Sequence, residues 1–134
     1  MSDMNKRIIE EFRANEGKVG GFFENITLLL LHTVGAKSGE QRLNPTAYIN
    51  DGERLVIAAS KGGADTNPDW YYNLVANPDV TVEVGTEKFP ARAEITPEPE
   101  RTELYGKLKS IYPGFGDYET KTTRVIPVVT ITRH

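Results

Sequence analysis

Residues 33–72 of the 134-residue chain read TVGAKSGEQRLNPTAYINDGERLVIAASKGGADTNPDWYY, and their turn signals predict a β-rich fold. A turn is predicted over residues 34–40, and Asn50-Asp51-Gly52-Glu53 predicts a tight hairpin, because glycine accepts the positive φ that such a turn requires. Strands are therefore expected at residues 26–33, 42–50 and 54–59, paired as an antiparallel meander. Pro45 indicates a bulge or an edge position within the second strand.

The rest of the chain predicts three further strands and three helices. The strands are expected at residues 80–84, 88–95 and 124–132, and the helices at residues 5–16, 68–77 and 96–111. Thr66 or Asn67 is the expected N-cap of the second helix, with Pro68 in its first turn. Six strands joined mostly by short turns predict one antiparallel barrel domain over residues 1–134, not a βαβ sheet.

The N-terminal part, residues 1–21, is expected to be a helix followed by a flexible glycine-rich segment. Ile8, Ile9 and Phe12 fall on one side of the helix, which favours packing on the domain. A lid, a partner surface and a peripheral membrane contact are the alternatives for this side.

Composition narrows the classes of function. The chain has 38% hydrophobic and 26% charged residues, no cysteine and a net charge of −3, which is typical of a folded domain without general attraction to nucleic acid. Neither a signal peptide nor a membrane span is expected, since the longest apolar run is Leu28–Leu31. A cytoplasmic location is therefore expected.

Three cations are candidates for an anion site. Lys37 and Arg42 flank the first predicted turn, and the meander places Lys61 near that turn. Converging cations in a groove favour a phosphate or carboxylate ligand. Solvated turn residues are the alternative.

Small and aromatic residues follow these cations. Ala58, Ala59, Gly62 and Gly63 either let a flat ring approach the backbone or form a tight barrel wall with its loop. Trp70 either stacks on a ring or belongs to the core. The segment Tyr112–Tyr118, with Phe115, is predicted to be a loop that covers a planar substrate or is pinned to the core.

Hydrolytic and metal sites are not indicated. His32 lies within an apolar strand and His134 is the last residue, and neither a nucleophile elbow nor a metal-binding spacing is found. If the protein is an enzyme, a bound cofactor therefore carries the chemistry.

Several ordered motifs resemble the deazaflavin-dependent nitroreductase family, which uses coenzyme F420. The resemblance covers the chain from about Thr27 to the C-terminus and is carried by Gly35-Ala36-Lys37-Ser38-Gly39, Arg42-Leu43-Asn44-Pro45, Ala58-Ala59-Ser60-Lys61-Gly62-Gly63, Asn67-Pro68-Asp69-Trp70-Tyr71-Tyr72-Asn73-Leu74, Asn77-Pro78, Tyr112-Pro113 and Ile126-Pro127-Val128. It implies a mainly β fold, a six-stranded antiparallel split β-barrel with an N-terminal helix and two helices at the rim. It also implies hydride transfer from the reduced deazaflavin to a quinone, an activated enone or a nitroaromatic compound.

The resemblance also implies roles for individual residues. Lys37, Arg42 and Lys61 hold the cofactor's phosphate and acidic tail, and Ser60 and Tyr118 act in catalysis. The implied substrate side is Tyr112, Phe115 and Tyr118. The implied cofactor-binding set is Ala36, Lys37, Ser38, Arg42, Leu43, Asn44, Pro45, Thr46, Ala47, Ala58, Ala59, Ser60, Lys61, Asp69, Trp70, Tyr71, Tyr72 and Asn73.

Two positions depart from the family pattern. Ala47 and Phe115 stand where family members often have tyrosine, so two hydroxyl donors are missing and weaker activity on nitro compounds is expected. Two alternative functions are a non-catalytic deazaflavin, flavin or haem carrier and an FMN-dependent oxidoreductase of the same fold. A homodimer is a further possible assembly.

Overall fold

The computed structural model describes residues 3–20 and 26–134, and it confirms a curled antiparallel sheet with helices around it. Residues 1–2 and 21, the ends of the predicted N-terminal segment, lie outside the described residues. In chain order the elements are α1 (Asp3–Ala14), β1 (Leu28–Val34), β2 (Gln41–Ala47), β3 (Ile49–Asp51), β4 (Arg54–Ala58), a 3-10 turn (Lys61–Gly63), α2 (Asp69–Ala76), β5 (Asp79–Val84), β6 (Glu87–Ile95), α3 (Glu100–Ile111), α4 (Gly114–Lys121) and β7 (Val128–Arg133).

The two edge strands of the sheet are consecutive in sequence, so the chain itself links one edge to the other. Its strand order is β2-β1-β5-β6-β7-β4-β3, so β2 and β3 lie at opposite edges although only Tyr48 separates them in sequence. Tyr48 is buried, and its N–H donates to the Thr27 carbonyl at 3.1 Å. The predicted strand 42–50 is therefore one run that bends at Tyr48 and brings the sheet round into a barrel.

This closure corrects the predicted meander. The first two strands pair, but β4 pairs with β3 and β7 and not with β2. The edge position inferred from Pro45 is confirmed, because β2 is an outer strand whose only partner in the sheet is β1. A proline at an edge leaves no ladder hydrogen bond unmade.

The apolar run Leu28–Leu31 is buried on both sides of β1. Leu29 and Leu31 belong to the barrel core with Val82 and Ile131, whereas Leu28 and Leu30 lie under α1. A strand covered on both faces reads as a continuous apolar run. No helix in the described ranges is long and apolar enough to cross a membrane.

The N-terminal helix packs on the domain, as its amphipathic pattern predicted. Ile8, Ile9 and Phe12 are buried against the outer side of β1. Arg13 forms a two-pronged ion pair with Glu83, with Nη2–Oε2 at 2.7 Å and Nε–Oε1 at 3.1 Å, which holds the pKa of that carboxyl below its usual value. The apolar side of α1 is thus covered by protein, and its outer side is charged.

Two local predictions were wrong. The segment after Pro113 is helix α4 and not a loop, because Pro113 and Gly114 occupy the helix start, where proline is tolerated. The N-cap of α2 is Pro68, and no side chain caps this helix. Thr66 and Asn67 are not caps because Thr66 accepts a hydrogen bond from Lys61 and Asn67 accepts one from Arg124.

The last strand is also shorter than predicted, since β7 begins at Val128. Residues 122–127 run irregularly between α4 and β7. This stretch carries Arg124, whose side chain reaches across to the residues after β4.

Candidate active site

A cleft of about 570 Å³ lies where the three apolar clusters of the molecule meet. This volume suits a small organic ligand or cofactor. The lining residues are Asn5, Ile8, Ile26, Leu28, Pro45, Thr46, Ala47, Ala58, Ser60, Lys61, Gly62, Pro68, Trp70, Ile111, Tyr112, Pro113, Gly114, Phe115 and Tyr118. Ten of the predicted site residues are in this set, so the structure brings together widely separated parts of the sequence.

The sheet side of the cleft is made of small and rigid residues. Pro45, Thr46 and Ala47 come from the end of β2, and Ala58 ends β4. Trp70 lines the cleft and is also only 7% exposed within the barrel core. The core interpretation of Trp70 is therefore confirmed, and because the residue also borders the cleft, its stacking on a ring stays a prediction.

The border of the cleft next to α2 is formed by the rim segment, residues 59–67. Ser60 is buried, and its hydroxyl makes no hydrogen bond to residues 3–20 or 26–134. Lys61 (φ 48°) and Gly62 (φ 64°) both adopt the left-handed conformation, which is uncommon for a lysine. The Lys61 ammonium is exposed and donates to Thr66 Oγ1 at 3.3 Å, so the rim carries one cation and one free hydroxyl.

Helices α3 and α4 supply the opposite, aromatic wall. The Tyr112 hydroxyl donates to the Tyr48 carbonyl at 2.9 Å and accepts from the Thr27 N–H at 3.2 Å, so it is committed to the fold. Phe115 packs edge-on against Tyr118, with ring centroids 5.5 Å apart. The Tyr118 hydroxyl has no hydrogen-bond partner in the described ranges. Tyr118, and not Tyr112, therefore offers a free phenol to the cleft.

Positions 47 and 115 themselves supply no hydroxyl to the cleft. Ala47 and Phe115 both line the cleft without a hydroxyl. Tyr48, next to Ala47, packs into the barrel core, and burial raises the pKa of its phenol. It does not line the cleft.

The basic turn, residues 35–42, lies outside the cleft lining. Lys37 and Arg42 are exposed, and Arg42 reaches Glu40 at 3.3 Å. Because β4 does not pair with β2, the argument that placed Lys61 beside this turn was wrong. A shared anion contact of the three cations stays a prediction.

Asn73 of α2 anchors the basic turn. Its Oδ1 accepts from the Ala36 N–H at 2.9 Å, and its Nδ2 donates to Thr33 Oγ1 at 3.2 Å. Both polar groups of this buried side chain are thus bonded within the protein. Asn73 fixes where the turn sits relative to α2.

The remaining predicted cofactor residues are not among those that line the cleft. Leu43 and Asn44 are half-buried on β2, and Ala59 is fully buried in the barrel core. Others lie on the surface or pack beside the core, and these are Ser38, Asp69, Tyr71 and Tyr72. Their contact with a cofactor stays a prediction.

Sequence reasoning missed the wall that α1 and the end of α3 contribute. Asn5, Ile8 and Ile111 line the cleft, and Ile111 is more than half exposed. The amphipathic pattern of α1 predicted packing but carried no information about which face of the sheet would receive it. Arg124 was also missed, since no motif marks it.

The chemistry of the cleft requires a bound group. No carboxylate and no imidazole is among the lining residues of the described chain, and Lys61 is the one ammonium. No group of three His, Asp or Glu side chains in the described ranges is placed to hold a metal. Flat walls, small side chains and hydroxyl donors fit a planar redox cofactor, which would be held by residues of the sheet and of α4.

Comparison with known proteins shows the family to which the chain is similar. Residues 5–133 match the family of F420H(2)-dependent quinone reductases. An F420H(2)-dependent quinone reductase of Mycobacterium tuberculosis is 37% identical over 126 residues, which are 91% of this chain and 85% of the relative. A solved F420-H2 dependent reductase is 36% identical with a TM-score of 0.71, over 78% of this chain and 92% of the other. A solved domain-swapped dimer is 33% identical with a TM-score of 0.73, over 94% and 92%.

Proposed function

The chain belongs to the F420H(2)-dependent quinone reductase family, and we propose that its cleft holds reduced coenzyme F420 against a quinone, which is reduced there to the hydroquinone. The observation that carries the proposal is the cleft itself, which combines a planar wall, the unpartnered hydroxyls of Thr46, Ser60 and Tyr118 and one cation but no acid–base pair among its described lining residues. When bound, the reduced deazaflavin would supply the hydride, and a proton from solvent would complete the hydroquinone.

The sheet wall is proposed to carry the deazaflavin ring. Pro45–Ala47 and Ala58 present small, rigid groups, so a flat ring can lie close to the backbone. Lys61 at the rim and the exposed Arg42 are then available to the anionic part of the cofactor.

The spacing of Arg42 and Pro45 along β2 fits a cofactor that has a tail beyond its ring. Arg42 precedes Pro45 by three residues, which corresponds to about 10 Å along a strand. A ring on Pro45 thus leaves a tail directed along β2 towards Arg42 and Lys37. These exposed cations attract the tail through solvent, which makes their contribution sensitive to salt.

Ser60 and Tyr118 are proposed to act on the acceptor. Each has a hydroxyl without a partner in the described chain, on opposite sides of the cleft. A hydroxyl that donates to a quinone oxygen stabilises the negative charge that develops there as hydride arrives. Trp70 and Phe115 keep water from the site, which strengthens these hydrogen bonds.

Cofactor titration followed by turnover tests the proposal. Purified protein is titrated with F420 while ring fluorescence is followed, and reduced F420 is then mixed with a panel of quinones. We expect micromolar binding and quinone-dependent oxidation of the cofactor. Binding without oxidation would instead support the carrier alternative, and tighter binding of FMN than of F420 would support the flavin alternative.

A homodimer and a contact with the membrane surface are two further proposals, each with its own measurement. A homodimer is supported by the domain-swapped neighbour, and light scattering at two concentrations measures it. A cytoplasmic reaction with quinones at a membrane surface would use the charged outer side of α1, with Lys6 and Arg7, since its apolar side is buried. Sedimentation with anionic vesicles, compared with neutral vesicles, tests that contact.

A further inference from the structure

Arg124 binds the rim segment although it does not line the cleft. Its Nε donates to the Ala64 carbonyl at 2.8 Å, and its Nη1 donates to Asn67 Oδ1 at 2.7 Å. Its Nη2 donates to the carbonyls of Ala59 at 3.1 Å and Ser60 at 2.9 Å. One guanidinium therefore bonds the rim segment near both of its ends.

The backbone of the rim segment has a conformation that needs stabilisation by hydrogen bonds from outside the segment. Lys61, Gly62 and Gly63 follow one another in the left-handed conformation, at φ 48°, 64° and 87°. This conformation is unfavourable for a residue with a side chain. The internal hydrogen bonds of the segment are short-range, from the Gly63 N–H to Ser60 at 2.9 Å and from the Ala64 N–H to Lys61 at 3.2 Å.

The bonding pattern of Arg124 differs from an ordinary ion pair. No carboxylate of residues 3–20 or 26–134 pairs with this guanidinium, and all four acceptors are neutral oxygens. Hydrogen bonds from a charged donor are stronger than neutral ones. The planar fork also fixes the relative positions of the four acceptors, which a lysine cannot do.

We propose that Arg124 is a positioning residue, which holds the Ser60 hydroxyl and the Lys61 ammonium in the geometry that receives cofactor and acceptor. The consequence for the cofactor rests on the proposed function. The hydrogen bonds from Arg124 to the rim segment form without cofactor. These bonds and their effect on cofactor binding can therefore be tested separately.

Arg101 provides a matched control. Its Nε donates to the Ile126 carbonyl at 2.9 Å, so it too is an arginine bonded to backbone, but it makes no contact with the rim segment. Arg124→Met and Arg101→Met each remove one guanidinium and keep an apolar chain of similar length. Because Arg101 anchors Ile126, two residues from Arg124, the pair separates the bonds that Arg124 itself makes to the rim segment from the loss of an arginine that only anchors residues 122–127.

Hydrogen exchange without cofactor is the first measurement. In Arg124→Met we expect the Gly63 and Ala64 amides to exchange about 10- to 100-fold faster, because the charged hydrogen bonds that close the segment are lost. Arg101→Met leaves these amides unchanged. Equal exchange in the two variants overturns the proposal.

Cofactor affinity is the second measurement. Arg124→Met is expected to raise the Kd for F420 about 10-fold or more, Arg124→Lys to restore part of the affinity, and Arg101→Met to bind as the parent does. Parent protein that fails to bind F420 refutes the proposed function and leaves the exchange result standing. If Arg124→Met does not fold, Asn67→Ala removes the Nη1 bond together with the long hydrogen bond from Asn67 Nδ2 to the Tyr72 hydroxyl at 3.5 Å, and Tyr72→Phe is the control for that second loss. Unchanged Gly63 and Ala64 exchange in Asn67→Ala overturns the proposal.

Discussion

The basic turn and the rim segment carry the chain's candidate cofactor cations, but they are built in opposite ways. The turn is exposed, and its anchors are the Ala36 N–H bond to Asn73 and the pairing of β1 with β2. The rim segment is bonded by Arg124 at four points and covered by α4 at Gly63. The difference separates two tasks, since exposed cations attract an anion over distance whereas a fixed segment sets the geometry of the reacting groups.

The largest expected difference between the two regions concerns their glycines. A Cβ on Gly63 meets Lys121 Cβ and the Tyr118 carbonyl, both at 3.0 Å, and φ is +87°, whereas one on Gly39 meets nothing within 4 Å at φ +72°. We expect Gly63→Ala to lower the free energy of unfolding by about 3 kcal/mol and Gly39→Ala by about 1 kcal/mol. Urea denaturation measures both, and equal losses would show that the rim is no more tightly packed than the turn.

The next largest expected effect is on cofactor affinity, when the lysine of each region is removed. Lys61→Ala and Lys37→Ala are each expected to weaken F420 binding by about 1–3 kcal/mol, the range for a hydrogen bond to a charged group. The loss in Lys37→Ala should shrink as salt is raised, because the solvent between exposed charges screens them. Unchanged affinity in both variants would mean that the cations are simply solvated. Fluorescence titration measures the Kd for F420 of each variant at two salt concentrations.

The strands and helices of this chain follow largely from its sequence, whereas the pairing of the strands does not. The strand positions around Asn50-Asp51-Gly52-Glu53 follow from local turn chemistry, which the sequence displays directly. The bend at Tyr48 does not follow from local sequence, because residues on both sides of Tyr48 favour a strand. The bend depends on hydrogen bonds to the distant Thr27 and Tyr112. Without that bend, the predicted meander placed Lys61 near the turn at residues 34–40 through a strand pairing that the sheet does not have.

The residues of the candidate site likewise fall into those that local motifs predict and those that only the tertiary structure reveals. Pro45, Ala58 and Ser60 follow from motifs within short stretches, and all three line the cleft. Ile8 and Arg124 come from the two ends of the chain, and only tertiary packing shows that they contribute. Family motifs mark residues that meet a ligand, whereas the residues that hold them in place carry no local signal.

A pair of serines gives a smaller expected difference. Ser60→Ala should leave F420 affinity unchanged and lower kcat about 10-fold, since the donated hydrogen bond matters mainly as charge develops on the acceptor. Ser38→Ala in the basic turn removes a hydroxyl that accepts from the Glu40 N–H at 3.1 Å and should leave kcat unchanged. Equal kcat in both variants removes Ser60 from the mechanism. Steady-state kinetics with a fixed quinone provides the comparison.

The smallest expected difference concerns the two cleft tyrosines. Tyr118→Phe should fold normally and lower kcat several-fold, because its free hydroxyl is lost. Tyr112→Phe removes bonds to Tyr48 and Thr27 and should lower stability by about 1–2 kcal/mol. The opposite assignment, with a stability loss at Tyr118 and a purely kinetic loss at Tyr112, would reverse the two roles. Thermal denaturation and kcat on the same samples decide between them.

The most direct measurement of the central claim is single-turnover oxidation of bound, reduced F420 by a quinone, followed through the return of the oxidised ring's absorbance. The parent protein should oxidise the cofactor much faster than the same mixture without protein, with Ser60→Ala slowed and Ser38→Ala as fast as the parent. A rate equal to that of the protein-free mixture, at saturating cofactor, would contradict the assignment of this cleft as the site of quinone reduction.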